Sequence, residues 1–302
     1  VAAGDALIKN NERQLEKVTN PLGGTDTTIQ IHDLGLSPES KGYRRKLIEL
    51  AANLIERSIA AGTSPGEIMI LSRSKSFYDD LADECAERNI CASTDPDKTD
   101  VPEECVRLYS VHKSKGDEAE HVIIIHAVEH FIGFPSQVED SDLLDPVRIS
   151  PEENTEAEER RLFYVALTRT TGKLDIVSSQ GNRSRFLDEI DAHLTVAPTV
   201  AALGDNERRA DIEIATVSRL FDTGDSVAQA GLVTDWSGTR KFTIFDQTES
   251  ALLEQGEEYH IENARIDEYN GEYNFIFDSG TRVKKVVTDT QLELTDSKQS
   301  ER

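Results

Sequence analysis

Basic residues are scarce in this chain. Its 302 residues include 33 Lys and Arg against 57 Asp and Glu, which gives a formal net charge of −24. Proteins that bind nucleic-acid phosphates normally carry a basic surface, so the charge by itself argues against that class. The acidic residues are spread along the whole chain rather than gathered in one tail. A dispersed carboxylate surface keeps a protein soluble at high salt, where the repulsion between charges is screened to about 3 Å at 1 M. We therefore expect a halophilic source.

Cysteine and long apolar runs are also lacking. The three cysteines, Cys85, Cys91 and Cys105, are an odd number without a CxxC pair. This pattern indicates that the cysteines are small buried hydrophobic residues in a reducing compartment, rather than parts of a disulfide framework or a zinc site. We therefore expect a cytoplasmic protein with no metal site. No apolar run approaches the roughly 20 residues of a membrane-spanning helix, and we expect no membrane partner.

Strand and helix patterns alternate over the first 190 or so residues. Short apolar runs such as Ile68–Ser72 and Val122–Ile125 predict buried strands, and an apolar stripe at helical spacing predicts a helix over 40–61. An acidic stretch over 139–159 predicts a solvated loop leading into a further helix. The alternation predicts an α/β domain with a mainly parallel sheet over residues 1–193.

The pattern changes in the last third of the chain. Residues 194–210 are Ala-rich and polar, which predicts a linker, and 291–302 form a polar tail. The strands predicted between them are 229–234, 239–245, 259–267, 273–277 and 283–287. Ser237-Gly238 and Asn270-Gly271 lie between such runs and are hairpin signals. Five strands within 211–290 predict a small all-β barrel, with the oligonucleotide/oligosaccharide-binding (OB) fold as first choice.

The first cluster of chemically active residues is Ser110-Val-His-Lys-Ser-Lys-Gly-Asp-Glu118. It follows a predicted strand, and in an open α/β sheet ligands bind beyond the carboxyl ends of the strands. Hydroxyl, imidazole and ammonium groups beside a glycine suit a phosphate backbone, and Glu118 can accept from a ribose hydroxyl. Taken alone, the cluster also fits a solvated surface loop.

The second cluster is Glu158-Glu-Arg-Arg-Leu-Phe-Tyr-Val-Ala-Leu-Thr-Arg169, within a helix predicted over 156–168. The predicted packing face of this helix consists of Leu162, Val165, Ala166 and Arg169. This face presents Arg169 near the helix end, where a planar guanidinium can donate two parallel hydrogen bonds to a phosphate. For Glu158 to Arg161, a surface network of ion pairs is the favoured interpretation.

In this order, the two clusters resemble motifs V and VI of the UvrD/Rep-like superfamily 1 DNA helicases, which read close to TxHxxKGxE and EERRLxYVxxTRA. Gly133-Phe-Pro-Ser136 resembles the GxFPS turn of that family, and Ser184-Arg-Phe-Leu-Asp-Glu-Ile190 resembles the end of its second RecA-like domain. The resemblance spans residues 1–193. It implies a RecA-like domain of the P-loop NTPase type, in an ATP-driven motor that moves along single-stranded DNA, typically 3′ to 5′, and unwinds duplex DNA in repair or replication.

The resemblance also implies roles for individual residues. Ser110 and His112 match positions that contact DNA. The ATP-site positions are Lys115, Gly116, Glu118, Thr168 and Arg169. Of these, Arg169 is the implied catalytic residue, an arginine finger on the γ-phosphate that is typically worth about 10³–10⁵ in rate.

The sequence also departs from the family. It contains no GxxxxGK[ST], so the residues that hold the phosphates of ATP and its Mg²⁺ are expected in an N-terminal RecA-like domain upstream of Val1. We therefore expect the chain alone neither to hydrolyse ATP nor to unwind DNA. The alternative function is a non-catalytic single-stranded-DNA-binding scaffold with a degenerate motor half.

The predicted barrel carries a second resemblance. Residues 227–246 are similar to the single-stranded-DNA-binding OB folds of archaeal replication protein A, which together with the acidity suggests a haloarchaeal source. Base stacking on aromatic rings is worth about 1–3 kcal/mol per base. The predicted DNA contacts are Trp236, Phe245 and Tyr273 for stacking, with Arg240 and Lys241 for phosphates. Because the chain has little basic surface, we expect this binding to weaken less with salt than usual.

Overall fold

The computed structural model describes residues 2–11, 29–95, 102, 104–137, 151–200, 209–224, 226–245, 252–269 and 272–286. The chain divides into two compact units, Val1–Ala197 and Pro198–Arg302. The expected acidic loop as far as residue 150, the Asn270-Gly271 turn and the tail over 291–302 lie outside the described residues. No helix within the described ranges is both long enough and apolar enough to cross a membrane.

The first unit is built on a seven-stranded parallel sheet. Its strands are β1 (Ile29–Asp33), β2 (Ile68–Ser72), β3 (Ala92–Ser93), β4 (Val106–Ser110), β5 (Ala119–Ile124), β6 (Thr170–Ser178) and β7 (Leu194–Val196). Its helices are α1 (Ala2–Ile8), α2 (Tyr43–Ala60), α3 (Tyr78–Glu87), α4 (Pro151–Leu167) and α5 (Arg185–Asp188). The strand order is β3-β4-β2-β5-β6-β1-β7, and every pair is parallel. The predicted parallel α/β sheet is confirmed.

Apolar runs place the strands at the centre of this unit. All five residues of β2 are buried, as expected where helices cover both faces of a parallel sheet. Helix α2 begins after Gly42, whose φ of 107° lies in the left-handed region that glycine adopts without strain. The stripe predicted for this helix is its buried face, with Leu47, Ala51 and Ile55 fully inaccessible to solvent.

Helix α4 packs through a stripe that shares only Ala166 with the predicted one. Phe163, Ala166 and Leu167 are buried, whereas Leu162 and Val165 are only half-buried. The ring of Phe163 lies 5.0 Å from that of Phe134 and 5.8 Å from that of Phe186. The prediction was wrong because α4 has two adjacent apolar stripes, and the larger aromatic side chain takes the core.

Three neighbouring strands are joined by one buried carboxylate. Asp175 on β6 accepts hydrogen bonds from His32 on β1 at 2.8 Å and from His121 on β5 at 2.7 Å. Lys173 pairs with the same carboxylate at 2.8 Å, and His121 also bonds Ser58 of α2. Burial alone would raise the pKa of Asp175, but the hydrogen bonds from both imidazoles and the charge of Lys173 outweigh it and hold that pKa far below its usual range.

Two of the three cysteines are bonded to each other. Cys91 and Cys105 form a disulfide, with their Cα atoms 4.7 Å apart, while Cys85 is buried and free. The expectation of unbonded cysteines was therefore wrong for this pair. The pairing of β3 with β4, in register Ala92 to Val106, brings the two together although they are 14 residues apart in sequence. Burial raises the pKa of Cys85 to about 11.

The second unit is a closed five-stranded barrel, as predicted. Its strands are β8 (Arg209–Phe221), β9 (Val227–Asp235), β10 (Gly238–Phe245), β11 (Glu258–Tyr269) and β12 (Glu272–Phe277), with β13 (Arg282–Lys285) added outside on β11. The order β12-β10-β9-β8-β11 closes through pairing of β11 with β12. Only the β10–β12 pair is parallel among the pairings of the described strands. This architecture is OB-like.

The first barrel strand, β8, was missing from the sequence prediction. The last predicted strand is β13, which does not belong to the closed barrel. Both ends of the segment expected to be a linker are strands, since Leu194–Val196 form β7 and β8 begins at Arg209. The barrel core stacks Phe242 on Phe277, with ring centroids 5.2 Å apart.

Replacing Asp175 with Asn tests the buried cluster. Removing the charge leaves His32, His121 and Lys173 without their common partner, and we expect the free energy of unfolding to fall by about 3 kcal/mol at pH 7. Folding lowers the pKa of Asp175, so its stabilisation is present above the ordinary carboxylate pKa of about 3.9 and is lost in acid, where the variant and the parent should converge. Urea unfolding followed by helical circular dichroism reports on the first unit, which contains all the described helices.

The matched control is Asp80→Asn. The Asp80 side chain is 49% exposed in a surface ion pair with Arg44, and its loss should change stability by less than about 0.5 kcal/mol. Equal effects of the two substitutions would contradict the role given to the buried cluster.

Candidate functional site

A cleft of about 570 Å³ lies in the first unit, where several chain segments meet. Arg73 and Ser74 follow β2, and His112 follows β4. The turn Phe131–Ser136 forms one rim, and one face of α4 forms a wall. The residues of this face are Glu158, Glu159, Arg161, Leu162 and Val165. Guanidinium and imidazole groups therefore share the cleft with an apolar surface.

Glu159 is buried beneath the cleft and bonded on both oxygens. Its Oε1 accepts from Nε of Arg73 at 3.0 Å and lies 2.9 Å from Nη2 in an ion pair. Its Oε2 accepts from Nε at 3.1 Å and from the Ser136 amide at 3.0 Å. The neighbouring Arg160 is also buried and bonds Glu189 and Asn11 instead. The ion pairs expected for these two residues are present, but their expected surface location is wrong because both side chains are buried.

Arg161 has a different environment from the arginine before it. It is exposed, lines the cleft, and makes no hydrogen bond or ion pair to another described side chain. The helical period places it beside Glu158, Leu162 and Val165 on one face of α4. Arg161 and Arg73 are thus the guanidinium groups that a ligand in the cleft would meet. The sequence predicted no role for Arg73 and a surface ion-pair network for Arg161, which forms no such pair with another described side chain.

His112 is one of the predicted DNA contacts, and it does line the cleft. Partial loss of water lowers the pKa of its imidazole, the charge of Arg73 lowers it further, and Glu159 acts in the opposite direction. The neutral ring is therefore favoured near neutral pH. Ser110, the other predicted contact, is buried at the end of β4.

Arg169 and Thr168 lie away from the cleft, where α4 leads into β6. Arg169 donates from Nε to the Val165 carbonyl at 3.0 Å, from Nη1 to the Asp117 carbonyl at 3.2 Å, and from Nη2 to Oγ1 of Thr168 at 3.2 Å. Its own carbonyl accepts from the Ala119 amide at 3.0 Å. These bonds fasten the end of α4 to the loop before β5.

The predicted site residues therefore divide between two edges of the sheet. Ser110 lies at the carboxyl edge, paired with Ser72, whereas Arg169 precedes Thr170, which pairs with Ala119 at the amino edge. A five-residue strand separates the two edges by about 17 Å. The loop over 111–118 runs between them, and Lys115, Gly116 and Glu118 are exposed along it. Gly116 has a φ of 103°, a conformation that favours glycine.

In the barrel, strand alternation separates residues that the sequence prediction had grouped together. Arg240 is buried with Phe242 and Ile244, and its guanidinium lies 5.3 Å from the centre of the Phe275 ring. Lys241 points to the opposite face and is exposed. Arg240 is therefore wrongly predicted as an accessible phosphate contact, because successive residues of a strand face opposite sides.

The predicted stacking residues differ in accessibility. Phe245 is 41% exposed and Trp236 is half-buried in the β9–β10 turn. Tyr273 is only 8% exposed, so the expectation that it is an exposed stacking ring is wrong. Tyr273 lies on β12, which is paired on both sides within the barrel.

The exposed face of β8, β9 and β10 contains residues that the sequence analysis missed. Arg219 pairs with Leu232, which pairs with Lys241, and Phe221 pairs with Ala230, which pairs with Thr243. The Arg219 guanidinium lies 5.6 Å from the centre of the Phe221 ring, which is 36% exposed. Paired residues of antiparallel strands share a face. We call this surface the β8–β10 face and define it by Arg219, Phe221, Leu232, Lys241 and Phe245.

Comparison with known proteins agrees with the first resemblance. Residues 69–181 match the family model of the UvrD-like helicase C-terminal domain. This range includes the cleft and both sequence clusters. The chain is also 34% identical over 97 residues to DNA helicase IV of Escherichia coli K12, an alignment that covers 32% of this chain and 14% of that protein's length.

Solved structures similar to parts of the chain are of two kinds. One is the OB domain of a Methanosarcina mazei protein, with 31% identity, 30% of this chain and 83% of that chain covered, and a TM-score of 0.28. Another is the C-terminal domain of a possible DNA helicase from Lactobacillus plantarum, with 13% identity, 64% and 94% covered, and a TM-score of 0.39. A third is Schizosaccharomyces pombe Pot1pC bound to single-stranded DNA, with 11% identity, 35% and 96% covered, and a TM-score of 0.24.

The electrostatics of the cleft can be tested by titrating His112. In NMR titrations its pKa should lie below the ordinary histidine value of about 6.5. Arg73→Gln removes the positive charge beside the imidazole and should raise that pKa. Arg45→Gln, at an exposed position of α2 outside the cleft, is the control and should leave it unchanged. A fall in the His112 pKa on replacing Arg73 would contradict the arrangement.

Proposed function

We propose that this chain is the C-terminal part of an ATP-dependent DNA helicase that translocates on single-stranded DNA, 3′ to 5′, and unwinds duplex in repair or replication. The observation that carries the proposal is the family match over 69–181, which contains the two clusters in the order that the resemblance requires. In this proposal the first unit is the second RecA-like motor domain. Its partner is an N-terminal RecA-like domain elsewhere in a longer protein.

The cleft fits the phosphate backbone of single-stranded DNA, because the resemblance gives its lining residue His112 a DNA contact and the ATP positions lie towards the opposite edge of the sheet. Arg73 and Arg161 offer planar guanidinium donors, which bind phosphate oxygens in pairs. Both oxygens of Glu159 are bonded to Arg73 and Ser136, so this carboxylate is poorly suited to bind Mg²⁺. The ligands of Mg²⁺ are therefore assigned to the N-terminal domain. Bound ATP would supply the free energy for closing the two motor domains on each other.

Arg169 and Arg161 have different roles in the proposed motor. The family resemblance gives Arg169 the role of stabilising charge on the γ-phosphate. The contacts of Arg169 within its own unit support a different role, holding the 111–118 loop and its exposed Lys115, Gly116 and Glu118 in place. The accessible position of Arg161 beside His112 supports a contact of this residue with a DNA phosphate.

DNA-stimulated ATPase activity of the full-length protein distinguishes the assignments. If Arg169 is the arginine finger, Arg169→Ala should lower kcat by about 10³ or more, as removal of such a residue typically does. If Arg169 only holds the loop, Arg169→Ala should lower kcat by less, with a raised KM for ATP. Arg161→Ala should lower kcat by less than loss of the finger and should raise the DNA concentration that gives half-maximal stimulation. Arg45→Ala, an exposed arginine outside the cleft, is the control.

Each possible outcome of this experiment leads to a different conclusion. A greater loss of kcat for Arg161→Ala than for Arg169→Ala would move the finger role to Arg161. Activity near the parent value in both variants would refute both assignments. A full-length parent without ATPase activity, or an upstream sequence without GxxxxGK[ST], would favour the alternative function as a non-catalytic DNA-binding scaffold.

We further propose that the OB-like barrel holds single-stranded DNA on the β8–β10 face. Phe221 and Phe245 are exposed rings for base stacking, and Arg219 and Lys241 are cations for phosphates. Two cations, on the strands β8 and β10 that flank β9, provide few counterion-releasing contacts in an acidic chain. Binding by this face should therefore depend on stacking more than on salt.

Single-stranded oligonucleotide titrations by fluorescence anisotropy test the barrel. Phe221→Ala with Phe245→Ala should weaken binding by about 30-fold or more, since each stacked base is worth about 1–3 kcal/mol. The matched control is Ile214→Ala, which removes an exposed apolar side chain from β8 outside this face. Unchanged affinity in the double variant, or a steep loss of parent affinity with salt, would contradict the proposed face.

A further inference from the structure

Arg107 is a half-buried arginine at the opposite edge of the sheet from the cleft. It lies near the start of β4, and its Nη2 donates to the Glu118 carbonyl at 2.9 Å, just before β5 begins. Strand β2 lies between β4 and β5, so the Arg107 side chain reaches across two strand spacings, about 10 Å. It thus brings a second guanidinium to the end of the 111–118 loop, besides that of Arg169.

Hydrogen bonds hold both peptide groups that flank the Cα atom of Glu118. Before it, the Asp117 carbonyl accepts from Nη1 of Arg169 at 3.2 Å. After it, the Glu118 carbonyl accepts from Arg107. In that same peptide group, the Ala119 amide donates to the Arg169 carbonyl at 3.0 Å. Because peptide groups are planar, holding both of them fixes the two backbone dihedral angles of Glu118 and therefore the direction of its Cα–Cβ bond.

The Glu118 side chain itself stays accessible. It is exposed, and its carboxylate makes no hydrogen bond or ion pair to another residue in the part of the chain that the structure describes. An ionised carboxylate only accepts hydrogen bonds, and hydroxyl groups are among its natural donors. A carboxylate with a fixed direction and free oxygens is therefore suited to the hydroxyl groups of a ligand.

The side-chain contacts of Arg107 are poor for a residue that only stabilises the fold. Its Nε is buried and has no hydrogen-bond partner among the described residues. Leaving a buried donor unpaired is unfavourable. Arg88, by contrast, bonds three side chains of α2 and α3. The bond to the Glu118 carbonyl is therefore the specific contact that Arg107 provides.

We propose that Arg107 is a positioning residue that holds Glu118 in the direction needed to accept a hydrogen bond from a ribose hydroxyl of the nucleotide. Arg169 fixes the peptide group before Glu118, and Arg107 fixes the one after it. The nucleotide site thereby includes a residue outside both sequence clusters. This inference rests on the proposed function, in which Lys115, Gly116 and Glu118 are ATP-site positions.

DNA-stimulated ATPase activity of the full-length protein measures this role. Arg107→Gln should raise KM for ATP by about tenfold, the usual effect of losing a hydrogen bond to a charged group. It should leave kcat within about twofold of the parent value, because Arg107 does not touch the reacting phosphates. Arg107→Lys keeps a cationic donor for the Glu118 carbonyl and should restore most of the loss.

Nucleotide analogues show whether the ribose is the group that is lost. The same assays are run with 2′-deoxy-ATP and with 3′-deoxy-ATP in place of ATP. For the analogue that lacks the hydroxyl bound by Glu118, the parent and Arg107→Gln should have the same KM. A residue that only stabilises the fold would not distinguish between the three nucleotides.

Glu118→Gln completes a double-mutant cycle. Alone it should raise KM for ATP as Arg107→Gln does, and the two substitutions together should raise it no further, because both remove the same contact with the ribose. Arg88→Gln is the matched control. It removes bonds between α2 and α3, away from the ATP-site positions, and should leave KM unchanged.

Three results would overturn the inference while leaving the proposed function intact. One is an unchanged KM for ATP in Arg107→Gln, and another is a KM raised equally for ATP and both deoxy analogues. The third is a double variant in which the effects of the two substitutions multiply. A full-length parent without ATPase activity would instead remove the proposed function and this inference with it, so the two failures are distinguishable.

Discussion

The strand order of the first unit depends on the buried charge of Asp175. Asp175 lies at the centre of the sheet, and its partners come from the strands on either side, so the cluster can form only when β5, β6 and β1 are adjacent in that order. Hydrophobic burial favours compactness without specifying which strand lies beside which. A buried ion with fixed partners distinguishes between alternative orders, because any other arrangement leaves the carboxylate unpaired.

This strand order is also what creates the cleft. With β5 fixed beside β6, β2 lies between β4 and β5, and the residues that follow β2 and β4 emerge next to each other. Helix α4 precedes β6 and presents its second stripe to the same place. Arg73, His112 and Arg161 come from three segments far apart in sequence, and the sheet brings them to one edge.

Much of this was predictable from local patterns. The apolar runs located β2 and β5 because such runs have little alternative to burial, and the ordered clusters indicated the family that the later comparison found. The prediction of Phe245 as an accessible ring also agrees with its exposure. These features depend on a few neighbouring residues only.

The errors have a common physical origin in contacts between distant segments. Nothing local in α4 shows that Phe163 rather than Leu162 meets the core, since that depends on Phe134 and Phe186. Strand β8 was missed because a register shift between Val217 and Arg219 interrupts its alternation. Arg73 received no role because its importance comes from Glu159, 86 residues away in the sequence.

The Cys91–Cys105 bond bears on the weakest part of the sheet. Strand β3 has only two residues and lies at an edge, where few contacts resist fraying. A crosslink closing a loop of about 15 residues lowers the entropy of the unfolded chain by an amount worth about 3 kcal/mol at 25 °C. The disulfide therefore stabilises this edge strand by lowering the entropy of the unfolded chain, and this contribution exceeds that of the strand's own hydrogen bonds. The number of strands in this sheet therefore depends in part on a covalent bond.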